Sequence, residues 1–104
     1  MDQQYDNVRK IIFEIGNILK DQIDSIKEDK PYWLHEEYSF LIDSKFWPTS
    51  CVQKTIEYII LFFNQKYSSE LSIFISYQIN FVNNEDFTDC NCIFFFNSNG
   101  SESW

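Results

Sequence analysis

The stretch "SIFISYQINFVNNEDFTDCNCIFFFN", residues 72–97, alternates apolar and polar residues, breaks at a polar "NNED", then alternates again. Two alternating runs around a short polar loop are the pattern of a β-hairpin, here with strands over 71–82 and 87–97. A four-residue loop sets Val82 against Phe87, Ile79 against Cys90, Tyr77 against Cys92, Ile75 against Phe94 and Ile73 against Phe96. The opposite face then pairs Asn80 with Asp89, Gln78 with Asn91, Ser76 with Ile93 and Phe74 with Phe95. A slip of one residue would put Ile79 against Asp89 and mix the faces, so the loop length is even. A two-residue Asn83-Asn84 turn keeps the same parity. One face of the ribbon is therefore core. The other mixes amides and acids with an apolar spot made by Phe74, Phe95 and Ile93.

Upstream, residues 34–43 alternate Tyr38, Phe40 and Ile42 with Glu37, Ser39, Leu41 and Asp43, and read as a third strand. If it joins the sheet with Tyr38 inward, it adds Glu37, Leu41 and Asp43 to the mixed face. Residues 4–28 carry the helical period, with Val8, Ile11, Ile12, Ile15, Ile18, Leu19, Ile23 and Ile26 on one stripe. That helix ends before Pro31, which disfavours a helical Lys30. A second helix follows "SKFWPTS", where Ser50 and Gln53 fit a capping box. Its stripe is Val52, Ile56, Ile59, Ile60 and Phe63, and Tyr58, Leu61 and Phe62 widen it to nearly all sides. A helix this apolar lies between layers or meets another chain.

The expected fold is α+β: two amphipathic helices on one face of a small, mainly antiparallel sheet, in the order α-β-α-β-β with a C-terminal hairpin. At 104 residues, 44% apolar and 23% charged, the chain suits one globular domain, expected over 1–97 with a flexible tail over 98–104. No apolar run approaches the 18 or so residues of a membrane span. The opening "MDQQYDNVRK" has no apolar h-region, so the expected compartment is the cytoplasm, without membrane association.

Chemistry-bearing motifs are sparse. Gly16 and Gly100 are the only glycines, which excludes a glycine-rich phosphate cradle. His35-Glu36-Glu37 has no second histidine and no HExxH spacing, and no nucleophile elbow or triad is present. The chain is therefore read as having no catalytic site, metal site or cofactor. Cys51, Cys90 and Cys92 are an odd count. Cys90 and Cys92, two apart on a strand, sit about 6.5–7 Å apart, at or past the limit for a bridge. They read as buried free thiols. Trp47, beside Phe46 and Pro48, reads as a plug over the core, and Trp33 as either a plug or an exposed anchor.

Charge is the strongest functional signal. Sixteen acids oppose eight bases, for a net charge of −8. From Tyr67 to Trp104 the acids Glu70, Glu85, Asp86, Asp89 and Glu102 face no Lys or Arg at all. Such a surface repels nucleic acid and anionic membranes and speeds encounter with a basic partner. There is no alanine, and Ile, Phe, Asn, Lys and Tyr dominate, the residues of AT-rich codons. In size, acidity, α+β layout and residue usage the chain resembles the immunity proteins of bacterial toxin systems, such as those of contact-dependent growth inhibition. That resemblance implies a cytosolic protein that binds one cognate toxin domain, often a basic nuclease, and blocks its active site or substrate groove. It carries over no residue roles. From the residues themselves, the expected contacts are Glu85, Asp86 and Asp89 with Phe74 and Phe95, then Trp33, Glu36, Glu37 and Asp43. The rival reading is a small regulatory module that homodimerises through the helix bearing Tyr58 and Phe62, or through the mixed sheet face.

Overall fold

The computed structural model describes residues 2–28 and 35–98. The elements are α1 (Asp2–Lys27), β1 (His35–Ile42), α2 (Thr49–Leu71), β2 (Ile73–Asn83) and β3 (Thr88–Ser98), in the α-β-α-β-β order expected. Trp33 and residues 99–104 lie outside the described residues, while Ser98, expected to open the 98–104 tail, still pairs with Ile73 at the end of β3. The three strands form one antiparallel sheet ordered β1-β3-β2, so the last strand is the central one.

The helices pack on one face of this sheet. Ile11, Ile15, Leu19 and Ile23 recur every four residues along α1 and are all buried. Val52, Ile56, Ile60 and, seven residues on, Tyr67 form the buried stripe of α2. They meet Phe40 and Ile42 of β1, Ile73 and Ile75 of β2, and Cys90, Cys92, Phe94 and Phe96 of β3. Period-2 alternation on β3 puts all four of its core residues on the same face. Trp47 is buried against this cluster, stacked on Phe40 at 6.5 Å, as the plug reading requires.

Three details depart from the sequence reading. Asn83 continues β2 and pairs with Thr88, and the four-residue loop runs 84–87 rather than 83–86. The Thr88 hydroxyl donates to Asn83 Oδ1 at 2.9 Å, and Asn84 N donates to Phe87 O at 2.8 Å. These two bonds move the register by two, to Ile79–Cys92, Tyr77–Phe94 and Ile75–Phe96. Parity is kept, so each face holds the residues assigned to it, but Phe87 leaves the ladder for the loop. Secondly, α2 begins at Thr49 with Pro48 as its cap and no side-chain cap bond, so the Ser50–Gln53 capping box does not form. Pro48, extended at ψ 149°, turns its carbonyl into the helix and accepts from Cys51 N and Val52 N. Thirdly, α2 runs to Leu71, and Ser72 alone joins it to β2, in the left-handed conformation at φ 55°.

Candidate partner-binding face

The face of the sheet turned away from the helices carries His35, Glu37, Ser39 and Leu41 from β1. Beside them lie Asp89, Asn91, Ile93 and Phe95 from β3, and Phe74, Ser76, Gln78, Asn80 and Val82 from β2. Register sorts these residues into two ends. At one end β3 places Phe95 between His35 and Ser76, with Phe74 on the diagonal. The His35 and Phe95 rings lie 6.2 Å apart. Phe74 and Phe95 are not directly opposite, because the register shift sets Phe74 against Asn97.

The acids gather at the other end. Asp89 lies between Leu41 and Val82, and Ile42 pairs with Thr88, which brings Asp43 beside the Glu85–Phe87 loop. Asp89 and Phe95 are six residues apart on one strand, so the acidic and aromatic ends are separated by about 20 Å. The expected aromatic centre with an acid rim is thus not what the strands build from Phe74 and Phe95. The acids instead flank a different apolar pair, Leu41 at 51% and Phe87 at 50% exposure; the sequence places Leu41 on this face, but neither residue is among the expected contacts. Both line an open groove of about 570 Å³ whose walls include Asp6, Lys10, Asp43 and Phe46. An outward-facing leucine on an alternating strand was visible in the sequence. The exposure of Phe87 depends on where the loop starts.

Between the two ends, Asn91 Nδ2 donates to Glu37 Oε2 at 3.0 Å and to Ser39 Oγ at 2.8 Å, which holds Glu37 on the outer face. Glu36 does not belong to that face. It shares the parity of Tyr38, Phe40 and Ile42, turns toward the helices, and accepts from Gln22 Nε2 at 2.6 Å. Asp43 is committed in part to its own turn: Oδ1 accepts from Lys45 N, and its carbonyl accepts from Phe46 N and Trp47 N.

Of the acids in the C-terminal third, Glu70 lies 4.0 Å from Lys27 of α1. Among the described residues no basic group is within ion-pair distance of Glu37, Asp43, Glu85, Asp86 or Asp89. Among the described residues, Asp89 Oδ2 accepts only from Asn84 Nδ2, at 3.3 Å. These carboxylates therefore have no direct counter-ion among the described residues, and Lys10 is the one base on the wall of the groove beside Asp43.

Buried polar chemistry sits elsewhere. Burial pushes the Cys90 thiol up to about 11 and the Cys92 thiol up to about 12, and both are free thiols. Tyr38 donates to a Glu14 carboxylate oxygen; burial first, and that bond second, raise its phenol well above the ordinary range. Among the described residues no three His, Cys, Asp or Glu side chains gather as a metal site would require. None of the described helices is long and apolar enough to cross a membrane. On α2, Tyr58 is 76% exposed and Leu61 and Phe62 are also open to solvent, so the helix is not enclosed between layers. Comparison of the chain with protein-family models, with curated proteins and with solved structures finds no match.

Proposed function

We propose that this protein is a non-catalytic inhibitor, an immunity protein that binds and neutralises a basic toxin domain of the nuclease kind. One observation carries the reading: Asp89 pairs beside the exposed Leu41, Asp43 lines one groove with Leu41 and Phe87, Glu85 and Asp86 precede Phe87 in the hairpin loop, and none of the four acids has a basic side chain within ion-pair distance among the described residues. A nuclease groove must be basic to hold its phosphates, so a carboxylate cluster competes for it by charge. Leu41 and Phe87 supply the desolvated anchors that turn a fast encounter into a lasting one, and the carboxylates set the rate of encounter. Phe74, Phe95 and Glu37 extend the contact to a larger partner that spans the sheet.

The test takes the C-terminal domain encoded by the reading frame next to this gene and follows its association by stopped flow. The expected on-rate falls at least tenfold between low and high salt, while the off-rate changes little. The triple variant E85K/D86K/D89K is expected to lose protection of cells that express the toxin domain. A salt-insensitive on-rate, or full protection by the triple variant, overturns the reading.

A further inference from the structure

The sheet has two edges, and they are treated differently. β1 is eight residues long and carries Glu36 and Glu37, charges that discourage pairing with a stray strand. β2 is eleven residues long, "IFISYQINFVN", with no charge, no proline and no bulge along its ladder with β3. An uncharged edge of that length is open to pairing.

Only one point of this edge is occupied among the described residues. Asn64 of α2 donates to Ile75 O and accepts from Ile75 N. Those bonds show that the backbone groups of Ile75 point away from β3. By alternation, the N–H and C=O groups of Tyr77, Ile79 and Phe81 also point outward. The same three side chains lie on the helix side of the sheet yet are only half-buried, because the helices do not fully cover this half of the strand.

We infer that the open edge of β2 from Tyr77 to Phe81 pairs antiparallel with the same edge of a second copy of this chain. The segment is self-complementary about Ile79. A two-fold axis there sets Ile79 against Ile79 of the other copy and Tyr77 against Phe81. On the outer face it sets Gln78 against Asn80, amide to amide. Ile79 with Ile79 and the two symmetry-related pairings of Tyr77 with Phe81 have the hydrogen-bonding parity, which gives about six backbone bonds, two for each pairing. Aromatic and β-branched cross-strand pairs are the favourable ones. Asn64 ends the pairing at Ile75 and so defines its length. No charged side chain lies on the paired segment itself, and the repulsion between two chains of net charge −8, with Glu57 acting on Tyr77, is what added salt screens. The result is a six-stranded sheet whose two acidic ends stay open.

Light scattering on the full chain between about 10 µM and about 500 µM reads the pairing, as suits a small interface. The expected mass climbs from 12.6 kDa toward twice that value, and the dimer tightens as salt rises. Salt acts in the opposite direction on encounter with a basic partner, so the two readings fail separately. The Ile79→Pro variant removes an outward N–H and no ladder bond, and is expected to stay monomeric. Phe62→Lys is expected to dimerise normally. Hydrogen exchange of the unaltered chain adds a readout without mutation: the amides of Tyr77, Ile79 and Phe81 gain protection as concentration rises. A strict monomer at the highest concentration, a dimer abolished by Phe62→Lys, or concentration-independent exchange at those amides overturns the proposal.

Discussion

Asn64 and Ile75 are joined by two hydrogen bonds, the side-chain amide donating to the Ile75 carbonyl at 2.9 Å and accepting from its N–H at 2.8 Å. The amide of one helical residue thereby does what a fourth strand would do at that point. Asn is the short side chain that carries both a donor and an acceptor in peptide geometry. Replacing it strands two backbone groups at the boundary between α2 and β2.

Asn64→Ala is accordingly expected to lower stability by about 1–3 kcal/mol, the cost of leaving part-buried partners unmade. Asn64→Asp is expected to cost more, because it sets a part-buried carboxylate oxygen against the Ile75 carbonyl oxygen in place of a donor. Urea unfolding followed by circular dichroism measures both. An Asp variant as stable as the parent chain would show that the clasp contributes nothing.

Ser72 makes the opposite kind of prediction. It is the only described non-glycine residue at positive φ, and it turns the chain from α2 into β2 in a single step. A Cβ in that conformation costs about 1 kcal/mol that glycine avoids. Ser72→Gly is expected to raise the urea midpoint slightly, and Ser72→Val to lower it clearly. The reverse ranking would mean that the serine side chain contributes more than the backbone costs.

The thiols predict a pH dependence. Cys90 and Cys92 are raised from 9.0 to about 11 and about 12 by burial. Between those values the native chain holds protons that the unfolded chain has released, so the unfolded state binds fewer and stability falls as pH rises. The contribution is complete below about pH 9 and is lost progressively toward pH 12. Tyr38, raised in the same sense, steepens the fall. Urea midpoints at pH 7, 9 and 10.5 read the slope. At neutral pH one exposed thiol, Cys51, is expected to react quickly with a disulfide reagent, and the two buried thiols only as the protein opens.

The two carboxylates Glu36 and Asp89 separate a surface role from an interior one. Asp89→Asn is expected to slow association with a basic partner severalfold at low salt without loss of stability. Glu36→Gln is expected to leave the on-rate nearly unchanged and to alter stability, because its partner is Gln22 of α1. Gln22 also holds its Oε1 buried with no hydrogen-bond partner among the described residues, so this polar contact is imperfectly satisfied. Equal kinetic effects from both substitutions would place Glu36 on the contact surface.

Local periodicity was enough to determine the element order, the faces of the three strands and the buried stripe of α1, but on α2 it widened the stripe to Tyr58, Leu61 and Phe62, which are exposed, and missed the buried Tyr67. Ile11, Ile15, Leu19 and Ile23, or Phe94 and Phe96, declare their side by spacing alone, because helix and strand geometry convert spacing directly into direction. Capping and register were not legible in this way. Whether Pro48 or Ser50 starts α2, and whether Val82 or Asn83 ends the hairpin ladder, turns on single hydrogen bonds that compete within about 1 kcal/mol. The position of β1 was open as well, since nothing in its own residues says which strand it pairs with. Only folding the last strand into the centre of the sheet set Leu41 and Asp43 beside Asp89 and Phe87. Charge and alternation are properties of a chain read in order, whereas which charges share a surface depends on contacts between residues up to sixty positions apart.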